Sequence, residues 1–497
     1  MRPPVSSSLA ACALTALCCC SSAAPQAPTY PYQAPPTSGP PAGLDQETWT
    51  RHLKEDLLPY WRMAEAQGTP VGNFPTNRDM NGGVQSPTAR KPRMLGRQIF
   101  TYCVGYLLTG DESLLALAKA GNRWLLDHGQ DKARGGWYAD LDAAGNPSGD
   151  NPKFAQDFSY TVMGPAMYFF VTGDPESEAA VLATRDLLFD PSKYWDAANG
   201  RIRDGMNGAL TAEVSMENRG SELVAQLDPI TAFLLLVQPV LTDPARRVQM
   251  LGDLATLAKV IQSQFWKDGI FWGATGAIGV YHSDHTDFGH ILKAYWALTQ
   301  VDKRLDGHPL RSFLATAAPA TLTFAWDAPN GRWAKAPSHA TTVDYGSDWW
   351  AYAEADNLAA TLSLQDPAWL STLGTAAGHF LTDYVDRTRA AREVVSSVDR
   401  TGNWVYPWPD SDTAKCNVWK NGFHTTEHAL VLEVLASWLQ ARPLQLYFAF
   451  PAQQVAARAA AATPYTFQAH VASTEDLGAL AADASLHKVR VGFDQIR

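Results

Sequence analysis

A histidine at the start of an apolar helix is the feature of this sequence that most directly suggests chemistry. Residues 419–428 read WKNGFHTTEH, and the apolar run that follows predicts a helix over 425–439. His424 would then be held at the start of a rigid element. Because the unperturbed pKa of histidine is about 6.5, a histidine in such a place can transfer protons near neutral pH.

Two further polar clusters lie at the starts of predicted helices. Residues 281–290 read YHSDHTDFGH before a helix over 290–300, and residues 344–354 read DYGSDWWAYAE where a helix over 349–364 begins. If alternate helices form an inner layer, all three clusters lie on one rim. We expect His290 and His424 to approach one substrate there from different sides.

The elements that must position these residues are about a dozen helices separated by short Gly, Asp and Pro turns. Two predicted helices end in the same Thr-Gly-Asp turn, at 109–111 and 172–174, which indicates a helical-hairpin repeat. This pattern predicts an all-α fold, an (α/α)6 barrel with six inner and six outer helices. The predicted helices cover 49–65, 94–108, 112–128, 154–171, 178–189, 223–240, 243–264, 290–300, 310–323, 349–364, 369–384 and 425–439.

The ends of the chain differ from this helical part. Residues 1–24 resemble an export signal, with Arg2 before a weakly apolar run, and lipoprotein-type processing is an alternative. Residues 25–44 are rich in Pro and Ala and predict an extended or disordered linker. We expect the catalytic barrel at 45–440. A small C-terminal appendage at 441–497 should contain strands at 444–450, 465–471 and 488–493 and an Ala-rich segment at 455–462.

Composition restricts the function classes. The formal net charge is -10 and the pI is about 5.6, which argues against nucleic acid as a partner. The 17 tryptophans supply flat faces that serve as core or as platforms for sugar rings. Export would place the protein in the periplasm or outside the cell, with lipid anchoring as an alternative. Four of the six cysteines lie in the signal, which leaves Cys103 and Cys416 as a disulfide or as two buried thiols.

At this point six short motifs, in one order along the chain, resemble the N-acylglucosamine 2-epimerase superfamily, which includes cellobiose 2-epimerases and mannose isomerases. FGH at 288–290 is similar to its Tyr-Gly-His, WWAYAEA at 349–355 to its Trp-Trp-x-Gln-Ala-Glu-Ala, and WKNGFH at 419–424 to its Trp-Lys-Gly-Pro-Tyr-His. Matches also occur at 96–97, 135–138 and 156–158. The resemblance extends from about residue 49 to residue 440.

The resemblance implies sugar epimerisation or aldose–ketose isomerisation of a mono- or oligosaccharide. A base would remove the C2 proton of the open-chain sugar to give an enediolate, and a proton would return at C2 or C1. By this match His290 and His424 are the catalytic pair. Substrate-binding roles fall to Arg97, Asp157, Lys293, Trp349, Trp350, Glu354 and Trp419, with Glu354 either binding hydroxyls or orienting a histidine. No cofactor or metal is expected, and the protein would be a monomer or homodimer.

Three positions depart from the family pattern. Lys293 stands where the family has a glutamate, Asp228 falls in the region of a family histidine, and Glu427 replaces an arginine. These changes alter the surroundings of the two histidines, so the resemblance leaves open which reaction is catalysed. Lys293, Asp157 and Glu354 are also compatible with buried or ion-paired structural roles.

Other functions remain compatible with the sequence. A glycoside hydrolase or polysaccharide lyase on the same barrel would use two acidic residues, with candidates Asp228, Asp284, Asp287, Asp348 and Glu354. Loss of turnover would leave a sugar-binding protein. His424, Glu427 and His428 also fit the His-x-x-Glu-His pattern of zinc peptidases, and His282 and His285 offer a second candidate metal pair.

Overall fold

The computed structural model describes residues 30–214, 220–407 and 413–497 and confirms the predicted (α/α)6 barrel. Each inner helix packs on the next, and the last returns to the first, so the ring is closed. The inner segments are Pro92–Thr109, Ala155–Thr172, Leu223–Pro229 with its continuations Ile230–Leu234 and Leu235–Val237, Phe288–Asp302, Trp349–Ser363 and Phe423–Leu439. The predicted export signal at 1–24 lies outside the described residues.

The outer ring consists of helices with one buried face, several of which end in a π-helical turn. Every residue of the inner helix Phe423–Leu439 is buried, whereas the outer helix Glu112–His128 buries only about half of its residues. This contrast follows from position, because an inner helix is covered on all sides. The outer segments are Gln46–Arg51 with His52–Leu57 and Leu58–Trp61, Glu112–His128, Pro175–Leu188, Pro244–Val260 with Ile261–Phe265, Arg311–Phe324, and Leu370–His379 with Phe380–Tyr384.

The two Thr-Gly-Asp turns connect inner helices to outer ones, as the repeat predicted. Gly110 and Gly173 end their helices with φ of 66° and 74°, a left-handed conformation that favours glycine. Asp111 and Asp174 then accept backbone N–H bonds from the first turn of the next helix. Each turn therefore ends an inner helix and begins an outer one.

Short antiparallel strand pairs lie on the opposite rim, in the connections from outer to inner helices. They join Arg78–Asp79 to Ala414–Cys416, Lys153–Phe154 to Gly205–Met206, Trp195–Asp196 to Arg201–Ile202, Trp266–Lys267 to Ile270–Phe271, Trp326–Asp327 to Arg332–Trp333, Ala336–His339 to Thr342–Asp344, and Ser347–Asp348 to Ser397–Val398, which also pairs with Trp404–Val405. These connections hold the starts of the inner helices, where the candidate site lies.

The C-terminal appendage packs against the other end of the barrel. Its sheet has the antiparallel order Leu444–Pro451, Leu486–Asp494, His470–Ala479, and the Ala-rich segment forms the helix Val455–Ala461. The first and third predicted strands are confirmed. The strand predicted at 465–471 is wrong for most of its length, because Tyr465 has φ of 61° and lies in a buried turn.

The predicted linker is extended over residues 30–44 but packs on the barrel instead of forming a free tether. Tyr30 is buried and donates a hydrogen bond to the Asp302 carboxylate at 2.7 Å. Trp438 donates its indole N–H to the carbonyl of Gln33 at 2.8 Å, and Leu44 is buried. The packed structure therefore begins by residue 30, earlier than the composition indicates.

Two further sequence features are placed by the fold. Cys103 and Cys416 are both buried free thiols, so of the two alternatives the unpaired one is found. In the described part of the chain one stretch, Leu223–Val240, is long and apolar enough to cross a membrane. It forms an inner segment of the barrel, with 83% of that window buried inside the protein.

Candidate active site

The three polar clusters meet on one rim of the barrel, at the N-terminal ends of three neighbouring inner helices. These helices begin at Phe288, Trp349 and Phe423, within two residues of the predicted starts. The helices that begin at Phe288 and Phe423 both pack on the one that begins at Trp349. Closure of the ring thus brings His290 and His424 to either side of the polar cluster at 344–354.

His290 is fixed by the residue that caps its own helix. One oxygen of Asp287 accepts the backbone N–H of His290 at 2.9 Å, and the other lies 2.8 Å from its ring Nδ1. A carboxylate at this distance requires a proton on Nδ1, which leaves Nε2 as the free basic nitrogen. Asp287 therefore sets both the position and the tautomer of His290.

His424 has a similar arrangement, with its carboxylate supplied by another helix. Its Nδ1 lies 3.3 Å from Oε1 of Glu354, whose other oxygen accepts the indole N–H of Trp296 at 2.7 Å. Burial lowers the pKa of His424 to about 4, although Glu354 acts in the opposite direction. His424 is therefore neutral at pH 7 and able to accept a proton. Of the two roles considered for Glu354, its position fits the orientation of a histidine.

Trp350 connects the two histidines. Its ring centroid lies 4.7 Å from that of His290 and 5.7 Å from that of His424. Gly289 permits this approach, because a Cβ atom there would lie 2.3 Å from the Trp350 ring. The glycine of the FGH motif and the second tryptophan of the WWAYAEA motif are thus complementary parts of one packing contact.

Trp349 has a different environment from its neighbour. It is 3% exposed, and the Lys420 ammonium lies 5.4 Å from its ring centroid. Successive residues on a helix point in directions about 100° apart, so only one of the two tryptophans faces the barrel axis. The burial of Trp349 is compatible with a core role, and its part in a sugar-stacking wall stays a prediction.

Arg97, Asp157 and Trp419 lie together beside the histidines. The Arg97 guanidinium stacks 3.7 Å from the Tyr160 ring centroid and donates to the carbonyl of Trp419 at 3.0 Å. Asp157 accepts from Arg93 at 2.9 Å, and Arg93 in turn lies over the Trp419 ring. Trp419 is 65% exposed, so its outer face is open at the rim.

The departures at Lys293 and Asp228 form one buried ion pair. The Lys293 ammonium donates to Asp228 at 2.9 Å and to the Tyr160 hydroxyl at 3.1 Å. Burial alone would lower the pKa of Lys293, but Asp228 reverses this and the pKa is raised. Tyr160 and Gln156 donate to the same carboxylate. Lys293 is 1% exposed and fully engaged, so a structural role fits it better than the predicted contact with substrate.

Glu427 lies in the site, although its sequence position indicated only that it replaces an arginine of the family pattern. It lies one helical turn after His424, is 1% exposed, and accepts a hydrogen bond from the Tyr465 hydroxyl of the appendage. Glu354, His424 and Glu427 each offer a potential metal-ligand atom within 4.8 Å of the others. Sequence reasoning missed Tyr465, because nothing in the pattern of the tail links it to the barrel interior.

The zinc-peptidase pattern is not assembled. Nε2 of His428 lies 2.9 Å from Asp356, and its ring packs against Trp49 and Phe380 of the outer layer. The two histidines of the pattern thus contact different carboxylates. In the second candidate metal pair, His282 and His285, the side chain of His282 instead pairs with Asp344 at the surface.

A cavity of about 390 Å³ opens on this rim. Its lining includes Arg93, Gln156, Asp157, His285 and Trp419. The ring of His285 lies 4.9 Å from that of His290, which is itself 9% exposed, as against 5% for His424. The cavity therefore reaches His290 only through His285, and neither His290 nor His424 is among its lining residues.

Comparison with known proteins shows a family likeness over part of the chain. Residues 72–233 match the family model of N-acylglucosamine 2-epimerase (GlcNAc 2-epimerase). A cellobiose 2-epimerase of Bacteroides fragilis is 30% identical over 167 residues, which are 33% of this chain and 40% of that protein. The chain is therefore similar to this family over about a third of its length. The sequence match spans about two fifths of that relative, and the family model ends before His290 and His424.

Solved structures extend the likeness around the barrel. The cellobiose 2-epimerase of Spirochaeta thermophila has a TM-score of 0.67 at 19% identity and covers 79% of this chain and 96% of its own. A D-mannose isomerase has a TM-score of 0.66 at 19% identity, covering 79% and 99%. At this level of identity the likeness establishes the (α/α)6 fold. About a fifth of the chain lies outside it.

Proposed function

We propose that this protein belongs to the N-acylglucosamine 2-epimerase superfamily and is a sugar 2-epimerase or aldose–ketose isomerase that acts by proton transfer between His290 and His424. One observation carries the proposal. Each histidine has its Nδ1 against a carboxylate, and the two rings contact the same Trp350 side chain. Two imidazoles that each place Nδ1 against a carboxylate, so that Nε2 remains for the substrate, suit proton removal and return.

The proposed reaction begins with an open-chain sugar bound between the rings. Nε2 of one histidine accepts the C2 proton, and the electron pair moves towards the carbonyl to form an enediolate. The buried guanidinium of Arg97 stabilises the negative charge that develops on oxygen. A proton returned at C2 from the opposite face gives the epimer, and one returned at C1 gives the ketose.

The acidic candidates for hydrolysis support this choice, because at least four of the five lie against basic side chains, among them Asp348 at 3.8 Å from the Lys335 ammonium. Asp287 is held by His290, Asp228 by Lys293, and Glu354 lies against His424. A hydrolase needs one acid and one base placed on either side of the scissile bond. Carboxylates that orient histidines suit proton transfer next to a carbonyl better.

The test is exchange of the C2 proton, followed by NMR in D2O across a panel of aldoses, ketoses and disaccharides. We expect deuterium at C2 with the wild-type protein, and a loss of roughly 10²-fold or more in His290→Asn and in His424→Asn. His282→Asn is the matched control, because this rim histidine is exposed and should leave the rate unchanged. No exchange across the panel would refute the proposal, and release of reducing or unsaturated ends would favour a hydrolase or lyase.

We also propose that the protein is exported, on the basis of Arg2 and the apolar run at 9–20. The experiment is expression of the full chain followed by cell fractionation and mass measurement of the mature N-terminus. We expect a shortened chain in the periplasm or medium. A mass that includes a lipid would identify the anchored form, and an intact chain in the cytoplasm would contradict export.

A further inference from the structure

The C-terminal appendage places one side chain inside the barrel. Tyr465 lies in the turn between the helix Val455–Ala461 and the strand His470–Ala479, and it is 1% exposed. Its ring lies 6.1 Å from that of Phe100 on the first inner helix. Its hydroxyl donates to Oε1 of Glu427. A residue of the appendage thus reaches the floor beneath the two histidines.

Glu427 is held at one oxygen and open at the other. Its Oε2 is buried and makes no hydrogen bond with any described residue, and the same holds for Oε1 of Glu354. His424 completes the group, because one potential ligand atom of each of the three residues lies within 4.8 Å of the other two. Two carboxyl groups and an imidazole therefore converge without a hydrogen bond between them.

A proton shared between the two carboxyl groups would give both of these buried oxygens a hydrogen-bond partner. Two carboxylates within 4.8 Å of each other in a buried site each disfavour the charge on the other. Burial, followed by the charge of Glu354, raises the pKa of Glu427 to about 8. The charged and titratable groups that act on Glu427 and its partners are Glu354, Lys293, Tyr465, His424, Arg97, Tyr160 and Asp228.

We propose that Tyr465 is a positioning residue, which fixes a protonated Glu427 beneath Glu354 so that Glu354 holds His424 with Nε2 free. The inference rests on the proposed function of His424. Glu427 donates its proton towards Glu354, and Glu354, with a single negative charge, accepts Nδ1–H of His424. When Glu427 ionises, the two carboxylates repel each other and His424 loses this support.

The experiment measures the pH profile of C2 exchange in the full chain. We expect wild-type turnover to fall above about pH 8, where Glu427 ionises. Glu427→Gln still offers an N–H donor, so it should keep the neutral-pH rate within about threefold and remove the alkaline fall. Tyr465→Phe removes a hydrogen bond that favours ionised Glu427, so the fall should move up by about one to two pH units with KM unchanged.

A second readout does not depend on turnover. Imidazole NMR of ¹⁵N-histidine protein, with the His424 signal assigned through His424→Asn, should show a wild-type transition near pH 8. That transition should vanish in Glu427→Gln. Tyr447→Phe, in the sheet of the same appendage, is the matched control and should change neither measurement. Glu427→Gln preserves shape and carries the test if Tyr465→Phe does not fold.

The outcomes separate the two proposals. Absent exchange with a normal His424 transition would refute the proposed reaction and leave the positioning role supported. Normal exchange with an identical pH profile and His424 transition in wild type and Glu427→Gln would overturn the positioning role. A wild-type His424 signal that moves on addition of Zn²⁺ or Mn²⁺, together with exchange lost on chelation, would show that a cation takes the place of the shared proton and would overturn it as well.

Discussion

The buried pair of Lys293 and Asp228 offers a test of whether the two altered family positions compensate each other. Asp228→Asn keeps the shape of the side chain and removes its charge, which leaves the Lys293 ammonium buried without a counter-ion. The atoms are 2.9 Å apart and both side chains are at most 2% exposed. At an effective dielectric constant of about 20, the attraction lost is roughly 6 kcal/mol.

The net effect is smaller, because pairing opposes the desolvation of both groups. Breaking a buried pair at one partner costs about 3–5 kcal/mol, and we expect this for Asp228→Asn and for Lys293→Met. The double substitution removes both charges of the pair and leaves neither unpaired, so its cost should fall at least about 2 kcal/mol below the sum of the two. Glu475→Gln, in an exposed pair with Arg490, is the control and should cost under about 1 kcal/mol.

Urea unfolding followed by tryptophan fluorescence and by circular dichroism is the assay. Coincident transitions allow a two-state free energy of unfolding for each variant. Additive costs in the double variant, within about 0.5 kcal/mol, would refute the coupling. If Lys293→Met alone kept its stability but lost C2 exchange, Lys293 would instead have a role in the reaction.

Three further results are expected. Asp287→Asn keeps the helix cap but presents an amide to Nδ1 of His290, so the kcat of C2 exchange should fall by roughly 10²-fold or more with KM little changed; a change under about threefold would contradict the tautomer argument. Trp419→Ala removes the exposed ring beside Arg93 and should raise KM by roughly 3- to 10-fold with kcat retained, whereas a fall in kcat alone would argue against a binding role. Burial raises the pKa of Glu433 to about 8, so the folded state loses stability as pH rises from about 4.5 to 8. Glu433→Gln should therefore gain stability relative to wild type by up to about 1.4 kcal/mol per pH unit over that range, seen in thermal unfolding at pH 5 and 8, and an equal difference at both pH values would contradict the assignment.

Helix positions and the turns between them follow from local sequence. The Thr-Gly-Asp turns were predictable because a left-handed glycine and an Asp cap act within a few residues of one another. The helix starts near His290 and His424 were also predictable, since polar motifs precede apolar runs. The different exposure of Trp349 and Trp350 was not predictable, because it depends on how their helix is rotated in the ring.

Sequence by itself thus determined the helical barrel and the motifs that bring two histidines to one rim. Tertiary structure alone decided what surrounds them. The pairing of Lys293 with Asp228 joins residues 65 positions apart, and the bond from Tyr465 to Glu427 joins the appendage to the barrel interior. Such contacts depend on closure of the ring and docking of the tail, which no local pattern encodes. His424 could be found by its motif, while the carboxylates that govern its proton became visible only in the folded barrel.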